Sequence, residues 1–254
     1  MNCFVGGGEL LSLGRIGGGG GDGRSAGYYT ASVAKGRDDY YTGKGEAAGE
    51  WFGVGAGVLG LVGEVDADDF QAVVMDATDP RRGERLRRQV GDRPVQGMDM
   101  TFSAPKSVSL LFFLSDEGTS GAVRQAHDEA VGAALGYMER EACVVRSGKA
   151  GRGGKEAAEG FVGGVFRHRT SRALDPQLHT HAVVANLARR SDGRYIALDA
   201  TAMFSRRTIY SFRTLAPMLP PASSACGPAS IAALMRLGVH ASSSSMTALA
   251  WCSI

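Results

Sequence analysis

The chain has 254 residues, of which 44% are hydrophobic, so it is long enough to bury a substantial core. Its formal net charge of +2 is too small to define a partner, and its four cysteines lack the paired spacing of a disulfide framework or a zinc knuckle. The sequence has neither a signal peptide nor the roughly 18 continuous apolar residues of a membrane-spanning helix. We therefore predict a globular, cytoplasmic protein with no membrane partner.

The N-terminal region combines one predicted strand with a flexible segment. The strand is predicted at 10–16, and the glycine-rich segment 17–27 after it is predicted to be flexible. Four of the seven tyrosines then follow as two pairs, Tyr28-Tyr29 and Tyr40-Tyr41. Paired tyrosines in glycine-rich sequence are, taken alone, more typical of surface or hinge positions than of catalysis.

Arginine is concentrated in two places. The stretch DPRRGERLRRQVGDR, 79–93, carries six arginines, and 146–172 carries five more together with two lysines. Such clusters usually form a solvated surface, but they also suit a surface that binds phosphates.

The middle of the chain predicts one strand and two helices. A strand at 98–104 includes Asp99, a carboxylate among apolar residues, which is rarely placed for packing alone. Ser103 is predicted to cap a helix that begins at Pro105. A long amphipathic helix is predicted at 119–143 from its apolar spacing.

Short strands dominate the following part of the chain. They are predicted at 143–146, 161–168, 178–187 and 194–198, with turn-forming residues between them. Strands mixed with helices and joined by short links predict an α+β fold, in which an antiparallel sheet is backed by helices. From 215 to 254 the sequence has a single charged residue and shows no domain pattern.

Three of the five histidines lie in the stretch FRHRTSRALDPQLHTHAVVAN, 166–186. Side chains two apart on a strand share a face, so His179 and His181 project together, and a neighbouring strand can bring His168 beside them. Three imidazoles in this arrangement can bind a metal ion and leave positions open for substrate or water. His127 and His240 have no such neighbours and are predicted to be structural or solvent-exposed.

These residue types together indicate phosphoryl transfer. A metal ion held by neutral imidazoles keeps its full charge for an anionic substrate. A tyrosine, with an ordinary pKa of about 10, needs such a cation or a base to attack easily. Asp99 is the candidate base, and the tyrosine pairs supply the candidate nucleophiles.

The stretches MDMTFSAPKSVSLLFFL and FRHRTSRALDPQLHTHAVVANLARRSDGRYIALD resemble the relaxase domain of MobF-type conjugative relaxases, within the HUH endonuclease class. The resemblance extends over roughly 10–210 and includes the upstream tyrosine pairs. It implies a palm-like antiparallel sheet flanked by helices, and a DNA-nicking transesterase of plasmid mobilisation. Such an enzyme cuts one strand at an origin of transfer through a 5′-phosphotyrosyl intermediate and can reseal it.

The resemblance also implies roles for individual residues. Tyr28 matches the nucleophile with Tyr29 beside it, Tyr40 and Tyr41 match the second pair, and Asp99 matches the acid that assists the tyrosine. The implied metal ligands are His168, His179 and His181. Candidate phosphate contacts are Arg152, Lys155, Arg167, Arg169 and Arg172.

The cofactor that the resemblance implies is a divalent ion, Mg²⁺ or Mn²⁺. We expect no use of ATP, because the phosphate-binding motif GxxxxGK[ST] does not occur in the sequence. The implied partners are single-stranded DNA with a hairpin at an origin of transfer, accessory relaxosome proteins and a type IV secretion coupling protein. We expect residues 1–214 to form the relaxase domain and 215–254 to be a frameshifted or truncated tail. A non-catalytic DNA-binding module and a metal-dependent nuclease that uses water are the alternative functions.

Overall fold

The computed structural model describes residues 11–18, 49–88, 92, 94–146, 153–171, 173 and 175–206. Nine strands lie in these ranges: β1 Leu11–Gly17, β2 Glu50–Phe52, β3 Val95–Ser103, β4 Val144–Arg146, β5 Lys155–Ala157, β6 Gly163–Thr170, β7 Pro176–Ala185, β8 Ala188–Arg189 and β9 Tyr195–Ile196. The same ranges contain five α-helices: α1 Val54–Val58, α2 Ala67–Phe70, α3 Lys106–Leu114, α4 Glu117–Ala142 and α5 Ala200–Arg206. A short π-helix, Gln71–Met75, continues α2.

Five strands form one antiparallel sheet in the order β1-β3-β7-β6-β2. Strands β6 and β7 are consecutive in sequence, whereas β3 reaches its place beside β7 through the crossover that contains α3 and α4. Two-stranded pairs, β4-β5 and β8-β9, lie outside this sheet. The prediction of an α+β fold built on an antiparallel sheet is confirmed.

The two faces of the sheet carry different cores because side chains alternate along each strand. Met98, Met100 and Phe102 of β3 point to one face and pack with Val131, Leu135 and Met138 of α4. The opposite face packs Ile16, Phe166 and Val183 against Phe70 and Val73–Val74, which belong to α2 and the π-helix. Full burial of such side chains stabilises the fold by about 1.5–3 kcal/mol each.

The second face is apolar along only part of its length. Its apolar side chains extend to the end of β7 at Ala185, whereas the histidines of β6 and β7 lie nearer the start of β7, and Asp99 of β3 lies next to them, opposite Val183. The fold therefore places the polar group of residues at one end of a largely apolar surface.

The predicted helix cap at Ser103 is wrong. Ser103 is the last residue of β3 and pairs with His179, and the Ala104 N–H donates to the Leu178 carbonyl at 2.9 Å. Pairing with β7 thus keeps this segment extended, and α3 begins at Lys106 with Pro105 at its N-terminal boundary. The predicted long helix is confirmed as α4, where the Asp116 carboxylate caps the first turn by accepting from the Thr119 N–H at 3.0 Å.

The predicted strands around the histidines, 161–168 and 178–187, have the observed lengths, but each is displaced by two residues away from the connection between them. Strand β6 extends to Thr170 past a register shift after His168, and β7 already begins at Pro176, so the connection between them is short. In the part of the chain that the structure describes, no helix combines the length and the apolar character needed to cross a bilayer.

Candidate metal centre

The strand register brings the three predicted histidines together. His168 on β6 is the direct partner of His179 on β7, and His181 lies two residues further along β7 on the same face. Each ring centroid lies 5.1–5.2 Å from the other two. One ligand nitrogen from each residue falls within 4.8 Å of the others. Pairing across a hairpin thus converts a sequence separation of eleven residues into a compact cluster.

All three histidines of this cluster are buried. Burial lowers the pKa of His168 to about 3, and repulsion from His181 and His179, whenever these are protonated, lowers it further. His168 is consequently neutral at physiological pH. A neutral imidazole offers a lone pair to a metal ion, whereas a protonated imidazole does not.

Hydrogen bonds orient the two histidines of β7. His179 Nδ1 donates to the Gln177 carbonyl oxygen at 2.9 Å, and His181 Nδ1 donates to Asp99 Oδ1 at 2.9 Å. A carbonyl and a carboxylate can only accept here, so each Nδ1 carries the proton and each Nε2 carries the lone pair. The arrangement is that of metal-binding histidines held by an outer set of acceptors.

Asp99 is buried on β3, beside β7, as predicted from its apolar surroundings. Its two carboxylate oxygens lie 2.9 and 3.0 Å from His181 Nδ1, so its observed contact is with a candidate ligand. Thr101, two residues further on the same face, places its hydroxyl 3.0 Å from the same nitrogen. The sequence predictions missed Thr101, although its alternation with Asp99 was a signal for it.

The candidate phosphate contacts are dispersed. Lys155 on β5 forms an ion pair with Asp199 at 2.9 Å, and Arg167 forms one with Asp128 of α4 at 2.6 Å. Because Arg167 alternates with His168, it lies on the opposite face of the sheet from the cluster. Arg169 stacks over the Phe112 ring at 5.2 Å. Six predicted site residues lie outside the described residues: Tyr28, Tyr29, Tyr40, Tyr41, Arg152 and Arg172.

His127 is a fourth buried histidine, located on α4. Its Nε2 lies 2.9 Å from the hydroxyl of Thr180, which points away from the cluster, between the two histidines of β7. Burial lowers the pKa of His127 to about 3, aided by the positive charge of Arg167. The prediction allowed a structural or an exposed role, and its complete burial matches the structural one.

Comparison with known proteins identifies the family. The TrwC relaxase family model matches residues 22–216. The multifunctional conjugation protein TraI of Escherichia coli K12 is 39% identical over 173 residues, which is 66% of this chain but only 9% of that much longer protein.

Solved structures agree with this match. The metal-bound conjugative relaxase TrwC in complex with oriT DNA superposes with a TM-score of 0.67 at 31% identity, covering 91% of this chain and 70% of that one. TrwC complexed with a 27-mer DNA that comprises the recognition hairpin and the cleavage site gives a TM-score of 0.64 at 30% identity, covering 91% and 69%. A copper-bound TrwC structure gives 0.66 at 30% identity, covering 91% and 70%. The chain belongs to the TrwC relaxase family.

Proposed function

We propose that this chain nicks single-stranded origin-of-transfer DNA by transesterification and can reseal it. The observation that carries the proposal is the cluster of His168, His179 and His181, buried and oriented for metal binding, in a member of the relaxase family. TrwC structures contain oriT DNA and a metal, which supports the same substrate class and a metal cofactor here.

The donor set of the cluster fits a divalent metal ion. Three imidazoles converge, and His179 and His181 each direct Nε2 away from its acceptor. A metal bound there would supply Lewis-acid polarisation of the scissile phosphate. We propose Mg²⁺ or Mn²⁺ as the physiological ion, and no role for ATP.

We assign a separate role in the reaction to each of two residues, Tyr28 and Asp99. Tyr28 is the proposed nucleophile: its phenolic oxygen forms a bond to phosphorus as the bond to the 3′-oxygen breaks. The phenolic proton leaves with the help of Asp99, and the released 3′-oxygen gains a proton to become a hydroxyl. One phosphodiester replaces another, so the reverse attack reseals the strand without an external energy source.

Asp99 has a second role in this proposal, which its observed contacts support. Its carboxylate holds His181 in one tautomer and one orientation through Nδ1. It is thus a positioning residue for the candidate metal centre. Its action on the tyrosine proton stays a prediction, because Tyr28 lies outside the described residues.

The remaining parts of the proposal concern partners. Tyr29 would assist Tyr28, and the pair Tyr40-Tyr41 would serve a second strand transfer at termination. Lys155, Arg167 and Arg169 are proposed phosphate contacts, together with Arg152 and Arg172. Accessory relaxosome proteins and a secretion coupling protein are proposed as protein partners, and the location of plasmid DNA makes the cytoplasm the proposed site of action.

A covalent-adduct assay tests this function. The protein is incubated with Mn²⁺ and 5′- or 3′-labelled single-stranded DNA carrying the origin hairpin and nick site, then resolved under denaturing conditions. We expect a protein adduct with the strand 3′ of the nick, lost in Tyr28→Phe and retained in Tyr137→Phe, a control on α4. Cleavage without an adduct would indicate hydrolysis by water. Binding with neither product would indicate a non-catalytic DNA-binding module.

A further inference from the structure

A cavity of about 440 Å³, which we term the α4 cavity, lies between α4 and strands β2 and β6. Arg167 and Thr180 line it, and both alternate along their strands with the clustered histidines. The cavity therefore lies on the opposite face of the sheet from the candidate metal centre. Its volume is within the range of small-molecule sites, about 300–1,000 Å³. The proposed reaction at the histidine cluster gives this cavity no role.

Two glycines of α4 leave space on the helix side of the cavity. Gly132 and Gly136 are one helical turn apart, and both line the cavity. A Cβ at Gly132 would meet no atom within 4 Å, and a Cβ at Gly136 would lie 3.6 Å from Nη1 of the flexible Arg140 side chain. Close packing therefore does not require glycine at either position, and a larger side chain there would occupy the space that the cavity now has.

The cavity combines apolar walls with acidic groups. Its larger apolar side chains come from the sheet and from α4: Phe52, Val131, Leu135 and Val165. Its acidic residues are Glu50, Asp128 and Glu139. Only the pair between Asp128 and Arg167, at 2.6 Å, neutralises one of these carboxylates within the part of the chain that the structure describes. Three carboxylates thus share one guanidinium, and the cavity has an excess of negative charge.

Backbone hydrogen bonds fix the position of the Glu139 carboxylate. Its Oε1 accepts from the Val54 N–H at 2.8 Å and from the Phe161 N–H at 2.7 Å. Both donors are neutral and both use the same oxygen, so Oε2 and the negative charge stay available to a ligand. Glu139 is half-buried, and a cation that replaces water there meets a carboxylate that is already oriented.

Glu50 and Glu139 are held at separate points along the same side of the cavity. Glu50 pairs with Val165 of β6, whereas Glu139 binds the N–H of Phe161, four residues earlier in the chain. Four extended residues span at most roughly 14 Å, which bounds the distance between these two backbone points. A flexible ligand of about that length can bring one positive group to each carboxylate and pack its middle against the apolar walls.

We propose that the α4 cavity binds a linear aliphatic polyamine, an organic cation in which methylene chains separate ammonium groups. Each ammonium group offers three donors to a carboxylate, and the methylene chain matches the apolar walls. An anion would meet the excess negative charge, and a neutral ligand would cover the carboxylates without compensating them. This inference goes beyond the proposed DNA-nicking function and does not depend on it.

The test measures spermidine binding to the full chain by calorimetry without DNA. Gly132→Leu fills the cavity with a side chain and replaces a glycine with a better helix former, so α4 should stay folded while detectable binding is lost. Gly121→Leu is the matched control on the same helix: a Cβ there also meets no atom within 4 Å, but Gly121 does not line the cavity, and the variant should bind like the wild type. Glu50→Gln should weaken binding by about ten-fold, because one charge-assisted hydrogen bond is lost.

Several results would overturn the α4 cavity as a polyamine site. These are wild-type affinity in Gly132→Leu, an equal loss in Gly121→Leu, or no binding by the wild type at about 1 mM spermidine. Equal binding of an uncharged diol of the same length would also overturn it, because the site would then not select cations. Binding of tetralysine without binding of spermidine would replace the polyamine with a basic protein segment. Adduct formation with DNA reports separately on the proposed function, and Gly132→Leu should retain it.

Discussion

Four buried histidines lie on the two sides of strand β7, and their surroundings differ. On one side, His168, His179 and His181 have ring centroids 5.1–5.2 Å apart, with acceptors behind the β7 pair. On the other side, His127 contacts Thr180 at 2.9 Å within the contact between α4 and the sheet. Burial alone therefore does not distinguish a ligand from a structural histidine; convergence and the orientation of the ring nitrogens do.

Strand β7 contributes both to the histidine cluster and to the packing of the sheet against α4. His179 and His181 face the cluster while Thr180 between them faces α4, so any shift of β7 against α4 moves both candidate ligands. The apolar core on the α4 side fixes the strand, and the polar end of the other face uses that fixed position.

Removal of a clustered histidine should have the largest effect. His179→Ala leaves two imidazoles, and we expect Mn²⁺ affinity, measured by calorimetry, to fall by more than about 100-fold, beyond the 10–100-fold typical of outer-shell changes. Adduct formation should disappear at metal concentrations that saturate the wild type. His127→Gln is the matched control, because it changes a buried histidine on the other side of β7. Equal losses in both variants would contradict the distinction between the two sides.

Asp99→Asn tests the acceptor behind the cluster. The amide keeps a similar shape but removes the negative charge that holds the Nδ1 proton of His181. We expect Mn²⁺ affinity to fall by about 10–100-fold, which is less than the loss for His179→Ala. Thr101→Val, which removes the hydroxyl 3.0 Å from the same nitrogen, should have a smaller effect because it leaves the carboxylate in place. An Asp99→Asn protein with wild-type metal affinity would show that Asp99 does not position His181.

The clustering of the histidines was predictable because its determinants are local. A period of two places His179 and His181 on one face, and a short connection brings β6 next to β7. The contact between Asp99 and His181 was not predictable from spacing, since it depends on β3 pairing with β7 across 82 residues. The same pairing explains the wrong cap at Ser103: its local preference for capping a helix yields to the β3-β7 ladder.

The clusters of arginine in the sequence predicted that the protein has positively charged surfaces. They did not predict where these surfaces lie in the fold. The arginine-rich segment 79–93 gave no indication that Asp79 would organise a turn, because that depends on its backbone hydrogen bonds. Likewise, Arg167 is only one residue from His168 yet lies on the other face of the sheet. Proximity in sequence to a site therefore says little about proximity in space when the residues occupy a strand.

The pH dependence of stability should report on the buried imidazole of His127. Its folded-state pKa of about 3 is below the ordinary value of 6.5, so the unfolded chain takes up a proton that the folded chain does not. Stability from this source is complete above pH 6.5 and falls as the pH drops from there toward 3. Between pH 7 and pH 5 the loss should be about 2 kcal/mol. Urea unfolding with a chelator present should show a loss smaller by this amount in His127→Gln; equal losses in both proteins would contradict a neutral buried His127.

Arg167→Gln should have the smallest effect on stability. Its ion pair with Asp128 is partly exposed, so the free energy of unfolding should change by less than about 1 kcal/mol near neutral pH. The variant should nevertheless change the titration of His127 on the α4 side of β7, because the charge of Arg167 helps to lower the pKa of His127. Without that charge the folded-state pKa of His127 rises toward its unfolded value, and the loss of stability in acid becomes shallower. Mn²⁺ affinity should stay unchanged, since the sheet separates Arg167 from the histidine cluster. A change in metal affinity comparable to that of Asp99→Asn would show that the two sides of β7 are electrostatically one site.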